Sequence, residues 1–336
     1  MTDIQAILHL RSVALCALVL AGCQKEPFSD PAQGTPPIAS SSLYCPPHPS
    51  DDEWQTVTPT EAGYDGAALE EVLSYAESQR SSGVVVLYDG KILVERYWEV
   101  PEKEGSRYTT MVAAATSDGR AIEDVASAQK NIVSFLAGVA SGKGLLDLGA
   151  PVSDYIGEGW SKATVEQEAA ITVEHLLSMS SGLLADRTFE AAAGEKWRYN
   201  TSVYSRMFPI LESVSGLSLE ECTAQWLTMP TGMSESSWVP RPWLKATQDA
   251  NVVGFGTSAR DLARFGLLLT RDGLWNGNRV LNNPGYVERS TSPSQELNPA
   301  YGYLWWLNGQ QRRLTFNREE IEGQYIRNAP PDLYAA

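Results

Sequence analysis

Leu69, Val72, Leu73 and Ala76 recur at helical spacing between Gly66 and Arg80, with Glu70, Glu71 and Glu77 on the opposite side, which predicts an amphipathic helix. The period then drops to that of a strand. Gly83 to Tyr88 (GVVVLY) and Lys91 to Trp98 (KILVERYW) are β-branched runs around Asp89-Gly90, a pair suited to a two-residue hairpin turn. From Val125 the spacing is helical again. Ile132, Val133, Leu136, Val139 and Ala140 form a stretch, ending at Gly144, that is too apolar to be anything but a buried helix. Helical patterns continue over Val173 to Met179, Ser202 to Ser213, Leu219 to Leu227 and Ser258 to Thr270, separated by Gly, Pro and Ser turns. An aromatic, strand-like run, Tyr301 to Leu307 (YGYLWWL), comes next. Strand sequence thus flanks a mostly helical middle. This is an α+β order, an antiparallel sheet with flanking helices and an inserted, mostly helical subdomain.

Composition narrows the classes of function. The 336 residues allow one large domain or two intimate ones, and 43% apolar with 20% charged residues is an ordinary globular balance. With 26 Lys and Arg against 41 Asp and Glu, the net charge of -15 excludes a general attraction to nucleic acid. The histidines (His9, His48, His175) and cysteines (Cys16, Cys23, Cys45, Cys222) form no Cys-x-x-Cys and no His-Glu-x-x-His, so neither a metal nor another cofactor is implied. Chemistry must come from oxygen and nitrogen side chains.

The N-terminus reads as an export signal. Val13 to Leu20 (VALCALVL) is too short for a membrane anchor, follows Arg11 and precedes the small residues Ala21 and Gly22, so residues 1–22 are expected to be a signal peptide. Leu20-Ala21-Gly22-Cys23 resembles a bacterial lipobox, which implies lipidation of Cys23 and a place in the cell envelope, at the periplasmic face of an outer membrane. Residues 23–52, rich in Pro, Ser and Asp, are expected to be a disordered tether, with the folded domain over 53–336. Cys45 and Cys222 remain in a compartment that permits a disulfide, and either pair or stay independent thiols.

Two short constellations carry the chemistry. Ser127-Ala128-Gln129-Lys130 places a hydroxyl and an amine three residues apart at the start of the buried helix, on one helical face. Serine is a weak nucleophile without a base, and an amine partly removed from water can act as one. Trp197-Arg198-Tyr199-Asn200-Thr201 offers a phenol followed by a hydroxyl, and a tyrosine near a cation can relay protons.

The segments AIEDVASAQKNIVSFLAGVASGKGLLDLGAPVSDYIG, ITVEHLLSMSSGL, GEKWRYNTSVY, PTGM, TSARDLARFG and YGYLWWL together resemble the serine β-lactamase and penicillin-binding protein superfamily. The similar branch holds class C β-lactamases, D,D-peptidases, esterases and 6-aminohexanoate-dimer hydrolase. The resemblance implies a β-lactamase/transpeptidase-like fold, Ser127 as the acylated nucleophile, Lys130 as its partner and Tyr199 as general acid and base. The family's Tyr-x-Asn or Tyr-x-Ser motif finds Thr201 in its third place with Asn200 between, and both are expected to bind substrate. His175 is expected to be structural. After YGYLWWL the family carries a Lys-Thr-Gly or His-x-Gly strand and further closing elements, which this sequence does not show. The expectation is therefore an incomplete C-terminus, an open sheet edge and the loss of one oxyanion donor, worth about 10² to 10³ in rate. The reading is a serine hydrolase of an ester or amide, small molecule or cell-wall peptide, closer to an esterase or D,D-peptidase than to a resistance β-lactamase. Its alternative is a non-catalytic lipoprotein binding cell-wall fragments or a protein partner.

Overall fold

The computed structural model describes residues 16–19, 44–50, 53–99, 111–241 and 252–335. The β-branched runs form the expected hairpin. β1 (Cys16–Val19), β2 (Gly83–Tyr88) and β3 (Lys91–Tyr97) make a sheet in that order, with β2 and β3 antiparallel and β1 parallel to β2. Asp89 (φ 50°) and Gly90 (φ 81°) both adopt the left-handed conformation that such a turn demands. The alternation along β2 sends its side chains into two cores. Val84 and Val86 cluster with Leu73 of the Gly66–Ser78 helix, while Val85 and Leu87 enter the main core. Part of the apolar run read as a leader therefore lies, in the full-length chain, along the edge of β2, while Cys23 and the rest of the lipobox fall outside the described residues.

A second sheet went unforeseen. β4 (Val112–Ala115), β5 (Ala121–Asp124), β6 (Ser237–Pro240) and β7 (Val253–Thr257) pair antiparallel in the order β4-β5-β7-β6. Its strands are short and rich in Ala, Ser and Gly, so they lack the β-branched signal of β2 and β3. The Gln129–Gly142 helix runs through the core, with every residue from Gln129 to Ala140 buried. The Ala259–Thr270 helix packs on it through Phe265, edge-on to Phe135 at 5.7 Å.

Several expected elements break where chemistry requires it. The stretch read as one helix over 202–213 splits into Thr201–Tyr204 and Met207–Ser215, because Pro209 lacks an N–H and fits only a first turn. Leu219–Thr223 passes into a wider turn at Ala224–Thr228. Of the aromatic run only Trp306–Leu307 is strand. Beyond it the chain folds back into two antiparallel pairs, Trp306–Leu307 with Tyr334–Ala335 and Arg312–Leu314 with Glu320–Glu322, where no closing strands were expected. Residues 44–50, placed in the tether by composition, dock on the body. The Pro47 carbonyl accepts from Arg264 (2.9 Å), and Cys45 Sγ accepts from Arg271 (2.9 Å). Cys222 is buried on its own helix, so both cysteines are free thiols and the possible pairing is not made.

Candidate active site

Everything at the site follows from how β5 hands over to the helix. Asp124 ends the strand, its Oδ1 accepts from the Ala126 N–H (2.9 Å), and Ala126 takes φ 49°, a conformation that costs an L-residue energy unless its surroundings impose it. The chain then turns through Ala126–Ala128 into the Gln129–Gly142 helix. This corner leaves Ser127 exposed while Lys130, one turn on, is only 2% exposed. Lys130 Nζ donates to Ser127 Oγ at 3.4 Å. The same ammonium lies 4.8 Å from the ring centroid of Tyr199 and 4.7 Å from that of Tyr204. The three residues of the predicted catalytic set are thus together.

Tyr199 is held by aromatic rings. It stacks on Trp306 (5.6 Å, 18°) and meets Tyr301 edge-on (6.2 Å, 88°), so the YGYLWWL run forms the wall behind the phenol. Leu304, at φ 66°, donates its N–H to the Leu177 carbonyl (2.9 Å) and accepts through its own carbonyl from Asn131 Nδ2 (2.8 Å), which ties that wall to the Gln129–Gly142 helix. Asn200, expected to bind substrate, has its amide engaged within the protein. Its Nδ2 donates to the Leu183 and Leu184 carbonyls (2.8 and 3.1 Å), and its Oδ1 caps the Thr201–Tyr204 helix by accepting from the Val203 N–H (3.2 Å). With both ends of the amide engaged and only 3% exposure, Asn200 fixes the loop that presents Tyr199. Thr201 follows it, half-buried, as the first residue of that helix. His175 accepts from the Thr172 N–H (3.1 Å) in a capping box, and burial lowers its pKa, the structural role expected of it.

Sequence reasoning missed the layer beneath. Arg241 grips Asp124 with two charged hydrogen bonds (Nε to Oδ2, 2.5 Å; Nη2 to Oδ1, 2.6 Å) at 7% and 1% exposure. Arg241 also donates to Gln129 Oε1 (2.9 Å), and Gln129 Nε2 donates to the Tyr204 hydroxyl (2.7 Å). Burial pushes the Tyr204 phenol well above its ordinary range, so it stays protonated beneath Lys130. A signal existed only for Asp124 and Gln129, which sit beside Ser127 in the chain. Arg241 is 117 residues from its carboxylate partner, and nothing local marks it. Among the described residues no group of three or more His, Cys, Asp or Glu is placed to hold a metal.

An exposed serine, a buried lysine three residues on at the start of the core helix, and a tyrosine ring beside that lysine are arranged in the Ser-x-x-Lys pattern that the sequence suggested. The family model described as Beta-lactamase matches residues 66–324, and the chain belongs to that family. An uncharacterised protein of Alkalihalophilus pseudofirmus is 23% identical over 268 residues, covering 73% of this chain and 74% of that one. A structure assigned as a beta-lactamase from Bacteroides dorei DSM 17855 superposes with a TM-score of 0.56 at 17% identity, covering 72% of this chain and 79% of the other. One assigned as a 6-aminohexanoate-dimer hydrolase from Bacillus anthracis gives 0.55 at 16% identity and 84% of both chains. These likenesses establish the β-lactamase/transpeptidase-like α+β fold.

Proposed function

We propose that the chain is a serine hydrolase that cleaves an ester or amide through a Ser127 acyl-enzyme, with esterase-like or D,D-peptidase-like specificity. The observation that carries this reading is the 3.4 Å contact between the exposed Ser127 hydroxyl and the buried Lys130 side chain, whose nitrogen lies 4.8 Å from the Tyr199 ring centroid. Ser127 Oγ attacks the carbonyl carbon while its proton passes to the Lys130–Tyr199 pair in its singly deprotonated form, in which the neutral amine or the phenolate holds the accepting lone pair. The same pair returns a proton to the leaving oxygen or nitrogen as the bond to the acyl group breaks. Water then repeats the sequence and frees Ser127. A fluorophosphonate probe tests it, since only an activated serine reacts. Labelling should vanish in Ser127→Ala and persist in Ser134→Ala, whose hydroxyl is buried without a hydrogen-bond partner among the described residues. A folded wild-type chain that takes no label would favour the non-catalytic, fragment-binding alternative.

The lipobox motif supports an envelope lipoprotein held by Cys23. Expressed in a bacterium, the chain should partition into detergent and the Cys23→Ser variant should not. A wild-type product wholly in the aqueous phase would refute the anchor.

A further inference from the structure

The reaction as described gives no part to Tyr204, although its ring lies as near Lys130 as that of Tyr199, at 4.7 Å against 4.8 Å from centroid to Nζ. A buried ammonium is costly unless something compensates its charge. Lys130 is 2% exposed and donates to Ser127 Oγ, but among the described residues it forms no ion pair. Asp124, the carboxylate nearest to it along the chain, is held by both prongs of Arg241. What faces the ammonium instead is a pair of aromatic rings, and the negative face of such a ring attracts a cation.

One short stretch of sequence supplies both rings. Tyr199 precedes Asn200, the cap of the Thr201–Tyr204 helix, and Tyr204 is the last residue of that helix. Tyr204 is fully buried and fixed on two sides. Its hydroxyl accepts from Gln129 Nε2 (2.7 Å), and its ring meets Phe208 edge-on (5.7 Å, 81°). Gln129 is itself held, because its Oε1 accepts from Arg241 Nη2 (2.9 Å). The face of Tyr204, rather than its oxygen, is therefore what Lys130 meets. Burial keeps this phenol protonated, so the ring acts as a neutral π face and not as a phenolate.

We infer that Tyr204 is a positioning residue, whose ring face holds the Lys130 ammonium within reach of Ser127. Its consequence for the reaction rests on the hydrolase reading above, whereas the contact itself does not. The test replaces Tyr204 by phenylalanine and by the mono-, di- and trifluorinated forms of phenylalanine. These keep the shape of the ring but drain charge from its face step by step. Tyr204→Phe, which gives up the Gln129 hydrogen bond, is the reference for the series. The rate of fluorophosphonate labelling should fall with each added fluorine, by about tenfold from phenylalanine to the trifluorinated form. A ring that only fills space would leave the rate level, because fluorine is little larger than hydrogen.

The contact is measured apart from the chemistry by urea melts of the same series in two backgrounds. With Lys130 present the midpoint should fall as fluorines are added, and in Lys130→Met it should stay level. That dependence on Lys130, in a protein whose wild type takes no label, would uphold the contact and overturn the hydrolase reading. Labelling that stays level or speeds up along the series would overturn the positioning role and leave the hydrolase. Midpoints that fall equally in both backgrounds would also overturn it, since the loss would then be one of packing.

Discussion

At the scale of single residues the site rests on a buried charge pair beneath it. Arg241 satisfies Asp124, Asp124 holds Ala126 at its unusual φ, and that corner is what exposes Ser127. Through Gln129 the same guanidinium reaches the hydroxyl of Tyr204, whose ring lies beneath Lys130. Removing one member of such a pair strands the other charge, so Arg241→Met should cost about 3–5 kcal/mol, a large share of a domain's stability. Arg241→Lys keeps the charge but loses the two-pronged fit, and should melt closer to wild type while taking a fluorophosphonate label more slowly. Thermal melts and labelling rates of both variants check this. A lysine variant that labels at the wild-type rate would show that the clamp does not position Ser127. Ser127 and Lys130 were legible in the sequence because their spacing is local, and Tyr199, 69 positions further on, was joined to them only by the resemblance of its segment to a known family. Asp124–Arg241 was not legible, because its partners meet only when β5 pairs with β7 and brings β6 alongside.

At the scale of elements, the Gln129–Gly142 helix was readable from its 3.6-residue period, but its small residues have a meaning the period does not give. A Cβ added at Gly138 would lie 2.5 Å from Cδ1 and Cε1 of Tyr286, a ring that is 1% exposed and whose hydroxyl donates to the Ser134 carbonyl (2.8 Å). Gly138→Ala would stabilise an isolated helix by about 1 kcal/mol. Here overpacking should win, and the variant should lose roughly 1–3 kcal/mol in a urea melt. A gain in stability would mean that the Tyr286–Ser290 helix can move aside. The helical patterns over 202–213 and 219–227 looked as continuous as this one. Pro209 divides the first, and the second widens at Ala224 for a reason that nothing in the structure explains.

At the scale of the whole molecule, carboxyl groups buried between elements set the response to pH. Burial raises Asp261 from 3.8 to about 6, against hydrogen bonds from the Ser236 hydroxyl and the Glu235 N–H, and burial likewise raises Glu123, which accepts from Ser82 across the two sheets. Between about pH 4 and 6 the folded chain holds a proton at Asp261 that the unfolded chain releases, so this residue's contribution to stability falls as pH rises through that window and is level above it. Glu95 and Glu190 lie below their ordinary range and act in the opposite sense. Comparison with Asp261→Asn cancels them: the difference in Tm, variant minus wild type, should grow from about pH 4 to about pH 6.5 and then level off. A constant difference would mean that Asp261 titrates normally. The sequence by itself determined the hairpin, the amphipathic and buried helices, the α+β order and the Ser127–Lys130 spacing, because each is encoded in residues a few positions apart and periodicity needs no partner. Only the tertiary structure decided the Ala- and Gly-rich second sheet, the Asp124–Arg241 clamp, the burial of Asn200 and the aromatic wall around Tyr199. Those depend on which distant segments meet, and burial, pairing and charge balance are properties of the meeting rather than of either segment.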